Sequence, residues 1–330
     1  ISPYRMMERT GAYLIPGADL RLALDLAPQA ESWGYESLWV THGGGRDSFL
    51  VLQAYASATH TIGLGTGVIP IYPRHPVVLA QEALTMAELS GGRFRLGIGV
   101  SHRTIMTEAF GLDMGSPLGA MREYVKVLRS ALSGKVEHSG ASYRVKWRSA
   151  LLRLPEPSPI LIAGLSAKML ELAGEIADGV ILWLCAPTYV RDVAIPAIAR
   201  GRARIGKPLA GFDVVAAVPV AVAQALDATA ALFKEELTRY MRLPFYRAML
   251  AASGFKEDLA AFDNEKDKAA SPGLAIPDRL TAALGCIGDA STVRGYVAAY
   301  RRAGVTLPAV RPIGFPDALH YRSSLEALAR

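Results

Sequence analysis

The stretch that decides the fold lies at 62–102, reading IGLGTGVIPIYPRHP over 62–76, a helical segment, then GGRFRLGIGVSH over 91–102. It is a strand, a helix and a second strand in one unit. Both apolar runs end among glycines, Gly65 and Gly67 in the first and Gly97 and Gly99 in the second. A strand end without Cβ atoms admits a flat ligand or a neighbouring side chain, and the stretch by itself favours neither. In a (β/α)8 barrel such strand ends face the active site.

The same alternation continues on either side. Residues 10–15 read as a first strand closed by Pro16 and Gly17, with Asp19 capping a helix through Trp33. Residues 37–41 form the second strand, followed by His42 and the triple glycine Gly43, Gly44, Gly45, which suits a surface loop or a cofactor approach equally. A helix at 47–59, a third strand at 62–69, a helix at 77–89 and a fourth strand at 93–99 follow. After an amphipathic helix at 121–132, segments 136–138 and 143–146 flank Ser139-Gly140 as a β-hairpin on the rim. Strands are expected at 159–163, 179–184, 213–222 and 309–313, with helices at 166–176, 189–205 (kinked at Pro196), 289–303 and 316–329. This repetition argues for a parallel (β/α)8 barrel, an α/β fold, as one domain over 1–330. Insertions are expected at about 114–158 and 225–285, the second helical and placed after strand seven.

Composition excludes several classes. With 51% hydrophobic and 20% charged residues, the chain can fill a large core and is ill suited to disorder. The net charge of +6 is spread without basic runs, which suits small anionic molecules better than nucleic acid. Cys185 and Cys286 are isolated, as expected of a protein kept in a reducing cytoplasm. No apolar stretch approaches the ~18 residues of a membrane span. The six histidines show no HxH or HExxH spacing, so no metal site is expected. GxSxG is absent, and no lysine stands at an expected strand end beside the other candidates, which weighs against acyl transfer and Schiff-base chemistry.

The run RHPVVLAQEALTMAELSGGRFRLGIG at 74–99, with ESWGYESLWV at 31–40, AFGLD at 109–113 and LAGEIADGVI at 172–181, resembles the luciferase-like monooxygenase superfamily. Within it, the chain is similar to the deazaflavin (coenzyme F420) dependent branch. The resemblance implies an oxidoreductase that exchanges a hydride between coenzyme F420 and a small organic substrate, working as a homodimer. Two alternatives stay open: an FMN-dependent monooxygenase, and a barrel that binds a flavin or deazaflavin without turnover.

In relatives a bulge with a non-prolyl cis peptide, here at Gly67-Val68, backs the middle ring of the cofactor. Thr41, Ile69, Gly99, Val100 and Ser101 would line the same site. Ala163, Gly164, Leu165 and Ser166 stand between a strand and a helix start, where free N–H groups and the helix dipole favour a phosphate, although Ser166 also suits an ordinary N-cap. His102 and His42 are the candidate proton carriers, since an imidazole titrates near neutrality beside the reacting centre. Many relatives place an acidic residue before the histidine of strand two, and Trp39-Val40-Thr41-His42 lacks it. Arg74 and His75 are expected to tether a loop, while Trp183 suits a pocket wall and Arg311 an anion site, each suiting ordinary core or rim equally.

Overall fold

The strands are short, apolar and buried along both faces, which is the signature of a parallel sheet covered by helices. A computed structural model describes residues 8–42, 45–151 and 153–329. Gly43 and Gly44 of the triple glycine lie outside the described residues; Gly45 is exposed. In chain order the first elements are β1 (Gly11–Leu14), α1 (Leu20–Ser32), β2 (Ser37–Val40), α2 (Ser48–Ala58), β3 (Gly63–Thr66), β4 (Ile69–Pro70), α3 (Pro76–Leu89) and β5 (Phe94–Gly99). Then come α4 (Pro117–Leu132), the antiparallel hairpin of β6 (Lys135–Ser139) and β7 (Arg144–Arg148), β8 (Ile160–Ala163), α5 (Ala167–Ile176) and β9 (Gly179–Trp183). The remainder is α6 (Pro187–Tyr189), α7 (Ile195–Arg204), β10 (Asp213–Val222), α8 (Leu226–Met241), α9 (Pro244–Ala252), α10 (Lys256–Glu265), α11 (Asp278–Leu284), β11 (Cys286–Gly288), α12 (Ala290–Arg302), β12 (Leu307–Pro312) and α13 (Leu319–Ala327).

Parallel pairing runs β1, β2, β3, β5, β8, β9, β10, β12 and back to β1, closing an eight-stranded barrel. The expected fold is therefore the observed one. Side chains at alternate strand positions point inward, where Tyr13, Trp39, Leu161, Ile181, Val215, Ala217, Leu307 and Ala309 fill the interior. The outward set, among them Leu38, Leu64, Leu96, Ile98 and Ile162, packs beneath the helices. Several helices begin where a side chain satisfies a free N–H group: Asp19 caps α1, Asp47 caps α2, Ser116 caps α4 and Asp289 caps α12.

Three expectations change. The third strand, expected unbroken over 62–69, stops at Thr66 and resumes at Ile69 as β4, because the chain kinks through a cis peptide at Gly67-Val68. A short strand, β11, pairs with the far end of β10 and was not expected, since CIG is too brief to carry a pattern. The helix expected at 189–205 is interrupted by a wider turn at Val190–Ala194, and Pro196 falls in the first turn of α7, where its missing N–H costs little.

Glycines in the deciding stretch serve packing first. A Cβ on Gly65 would stand 2.4 Å from the Trp39 ring, and one on Gly97 would stand 2.0 Å from the Thr66 carbonyl oxygen. Thr66 Oγ1 meanwhile donates to the Gly97 carbonyl and accepts from its N–H, both at 2.8 Å. Close strand approach, with a tryptophan laid flat inside, needs residues without side chains there.

Candidate functional site

At the carboxyl ends of the strands one side of the mouth is built mainly from backbone. Gly67 N–H donates to the Val40 carbonyl at 2.8 Å, and the Tyr13 hydroxyl donates to the Gly67 carbonyl. The Gly67-Val68 peptide is cis, as the resemblance implied, and Val68 packs against the interior cluster. A Cβ on Gly99 would lie 2.8 Å from Val68 Cγ2 and 3.3 Å from Ala163 Cβ, so these three residues meet. Val100 and Ser101 follow directly, Ser101 in the left-handed region at φ 60°. A non-glycine there is uncommon and collects at functional sites. Thr41 continues β2, its N–H bonded to the Leu14 carbonyl at 3.2 Å. Ile69 is placed differently: it is fully buried in the outer core and pairs with Ile98, so its side chain does not reach the mouth.

The loop after β8 leads into α5. Ser166 Oγ accepts from Met169 N–H at 3.2 Å and is the N-cap. Gly164 N–H reaches the Ile181 carbonyl at 3.4 Å, and the Leu165 carbonyl accepts from the Tyr189 hydroxyl at 2.5 Å. The cap leaves other first-turn N–H groups, such as those of Ala167 and Lys168, without intrahelical partners. Both roles considered for Ser166 are compatible with this arrangement.

The opposite side of the mouth is built from side chains. A row of rings runs from Tyr13 to Trp183 (5.3 Å between centroids), Tyr240 (6.1 Å), Tyr246 (4.8 Å) and His102 (5.8 Å). Tyr240 and Tyr246 come from α8 and α9, so the helical insertion supplies the outer half of the row. Leu184, the residue after Trp183, is also left-handed at φ 51°. Arg311 is 2% exposed and its guanidinium binds the Glu236 carboxylate, which also accepts from Gly314 N–H at 2.6 Å. Its charge is matched within the protein, so of the two readings open for Arg311 the core one fits and the anion site does not. The hairpin contributes no ring to this row; it is fastened to α4, where Glu123 accepts from Ser142 and Tyr143 N–H and pairs with His138 at 3.1 Å.

The two candidate histidines differ. His42 Nε2 faces Arg74 Nη1 at 3.2 Å, and a guanidinium can only donate, while Nδ1 stands 3.3 Å from both the Ser48 N–H and Ser48 Oγ. Arg74 also binds Asp47 at 2.6 Å and Glu82 at 3.2 Å, the tether anticipated for it. His75 caps α3 through Nδ1 and Val77 N–H, at 3.3 Å. Burial, and then the Arg74 charge, push the His42 pKa down against the pull of Asp47. His102 is half-buried in the loop after β5, and burial, then the charge of Arg239, lower its pKa as well. Among the described residues no cluster of metal-ligating side chains forms, and no helix is long and apolar enough to cross a membrane.

Sequence reasoning missed Tyr13, Tyr240, Tyr246 and Glu236. Tyr13 stands at an inward position of β1, but the three in α8 and α9 meet the barrel only through tertiary contacts.

Comparison with known proteins places this geometry. Over 196 residues, 58% of each chain, the sequence is 36% identical to a 5,10-methylenetetrahydromethanopterin reductase of Archaeoglobus fulgidus. The structure matches the coenzyme F420-dependent tetrahydromethanopterin reductase of Methanopyrus kandleri with a TM-score of 0.82 and 26% identity, covering 97% of this chain and 96% of that one. The FMN-bound oxygenating component of a diketocamphane monooxygenase from Pseudomonas putida shares the fold, with a TM-score of 0.73, 18% identity, and coverage of 98% and 97%. The profile of the luciferase-like monooxygenases matches residues 4–307, and the chain belongs to that family.

Proposed function

We propose that this protein transfers a hydride between coenzyme F420 and a small organic substrate at the mouth of the barrel. The observation that carries this reading is the meeting of Val68, Gly99 and Ala163 at the carboxyl ends of the strands, with Ala163 three residues before the N-cap of α5. Small side chains there fit the face of a planar ring, and first-turn N–H groups with a helix dipole fit its phosphate. The likeness to an F420-dependent reductase over nearly the whole of both chains supports the choice of cofactor. When bound, a deazaflavin supplies the hydride chemistry itself.

The chain's own residues then have three tasks. Gly99, Val68 and Ala163 support one face, with Thr41, Val100 and Ser101 beside it, and Gly164, Leu165 and Ser166 hold the phosphate end. Tyr240 and Tyr246 exclude water from the substrate side. His102 holds or takes the proton: lowered in pKa, its ring is neutral at pH 7 and suited to accept a proton from an alcohol, or to return one in the opposite direction. His42, with Nε2 occupied by Arg74, serves as a positioning residue. The same reading has the enzyme act in the cytoplasm as a homodimer.

Parallel binding titrations with coenzyme F420 and FMN test the assignment. Tighter binding of F420, with hydride exchange and no oxygen uptake, is the expected result. Preference for FMN with oxygen consumption would make the chain a monooxygenase, and binding without any turnover would make it a carrier.

A further inference from the structure

We infer that Glu82 is a positioning residue for His42: together with Asp47 it fixes the Arg74 guanidinium so that one N–H meets the imidazole, and a proton taken up by Glu82 releases that hold. What this does to the reaction rests on the proposed redox role of the mouth.

Arg74 precedes α3, and its side chain is 19% exposed. Its three nitrogens face three different groups. Nη2 donates to Asp47 Oδ2 at 2.6 Å, Nε donates to Glu82 Oε1 at 3.4 Å and lies 3.2 Å from Oε2, and Nη1 meets His42 Nε2 at 3.2 Å. The other oxygen of Asp47, Oδ1, is engaged elsewhere, accepting from Phe49 and Leu50 N–H as the cap of α2. A planar fork held at a single oxygen can pivot about that contact, whereas a second carboxylate along another edge fixes its plane. Glu82 is that second carboxylate. Behind it, the Tyr124 hydroxyl donates to the Arg74 carbonyl at 3.0 Å and holds the backbone.

Glu82 has no other charge to serve. The residues one turn away on α3, Val78, Leu79, Thr85 and Met86, are uncharged, and so is all of α2 beyond its cap. Glu82 Oε2 is buried and has no hydrogen-bond partner among the described residues, so keeping this carboxylate ionised falls to Arg74. The charged and titratable groups around Glu82 are Arg74, Asp47 and, from α4, Tyr124, with His42 on the far side of Arg74. Burial pushes the Glu82 pKa up, Arg74 pulls it back, and the Asp47 charge adds to the rise. At Asp47 burial is outweighed by the Leu50 N–H, His42 and Arg74, and the pKa is lowered. As pH falls the proton therefore goes to Glu82 first, while Asp47 keeps its charge and its bond. A neutral Glu82 binds a guanidinium less firmly, and Arg74 Nη1 is then free to turn from His42.

The test follows side-chain N–H groups by NMR in the cofactor-free protein, the Arg74 Nε–H resonance being identified by its absence in Arg74→Lys. At about pH 7.5 that proton is expected to exchange with water about five-fold faster in Glu82→Gln than in the unmodified protein, and at about pH 4 the two should exchange alike. The His42 ring resonances should shift with the Glu82 transition in the unmodified protein and lose that transition, though not their own titration, in Glu82→Gln. Equal exchange at pH 7.5, or His42 resonances that coincide in the two proteins at every pH, would overturn the inference. Should Glu82→Gln fail to fold, the pH series on the unmodified protein decides alone: a single transition at His42, with Arg74 Nε–H unmoved, would overturn it equally. With coenzyme F420 bound, Glu82→Gln is expected to slow hydride transfer about three-fold at pH 7.5, the gap closing toward pH 5, and equal rates throughout would remove Glu82 from the reaction. Failure to bind F420 defeats the redox reading instead, and the resonances of Arg74 and His42 still decide whether Glu82 positions them.

Discussion

The two sides of the barrel mouth are made of different materials. Where β3, β4, β5 and β8 end, the surface is backbone and small side chains, with Gly67, Gly99 and Ala163 at the front. Where β9, β10 and β12 end, it is Trp183 and Arg311, roofed by Tyr240 and Tyr246. The bare side suits something large, flat and always the same, because it offers shape and N–H groups with few rotamers to adjust. The furnished side suits a smaller organic body, because its outer rings, Tyr240 and Tyr246, and the carboxylate of its ion pair, Glu236, are laid over Trp183 and Arg311 by the helical insertion. His102 stands where the two meet, touching the Tyr246 ring from the loop after β5.

The most forceful way to break that contrast is to give the bare side a side chain. Gly97→Ala places a Cβ 2.0 Å from the Thr66 carbonyl, a backbone atom that cannot swing away. Its expected cost is about 3 kcal/mol or more, read by chemical denaturation, and an unchanged midpoint would mean that the strands separate easily there. Second in size is His102→Asn, expected to slow hydride transfer about 100-fold with little change in KM, whereas His42→Asn should cost about ten-fold or less. Equal losses from both would erase the distinction between reacting and positioning histidines.

Titration sharpens the same point. The ordinary pKa of 6.5 is lowered at His102 by burial and by Arg239, so between the lowered value and 6.5 the unfolded chain binds more of this proton than the folded one. Stability from the buried neutral ring is complete above pH 6.5 and is lost as pH falls through that window. His102→Asn should therefore flatten the acid-side decline in melting temperature, and an identical decline would remove His102 from the account. The smallest expected effect lies at the edge of the bare side: Ser166→Ala removes the cap of α5 at about 1 kcal/mol, and weaker cofactor binding should accompany it. A loss of stability with cofactor affinity intact would leave Ser166 a cap alone.

Much of the barrel was legible because parallel strands covered on both faces must be apolar throughout, and helices of this kind begin at residues such as Asp19, Asp47 and Ser166. The interruption at Gly67-Val68 came from the resemblance, since IGLGTGVI reads as one unbroken strand by pattern. The bare side of the mouth was visible as glycines, yet whether Gly65 and Gly97 admitted a ligand or Trp39 and Thr66 was decided only by packing.

What the sequence determined by itself is the order of strands and helices, the small residues at the strand ends, and the family to which that order belongs, because these depend on local pattern and spacing. Tertiary structure decided which distant side chains complete the mouth. Glu236 neutralises Arg311 across 75 residues, and Tyr246 reaches His102 from another helix. No local period encodes such meetings, because they depend on where the barrel closes and where the insertion settles upon it.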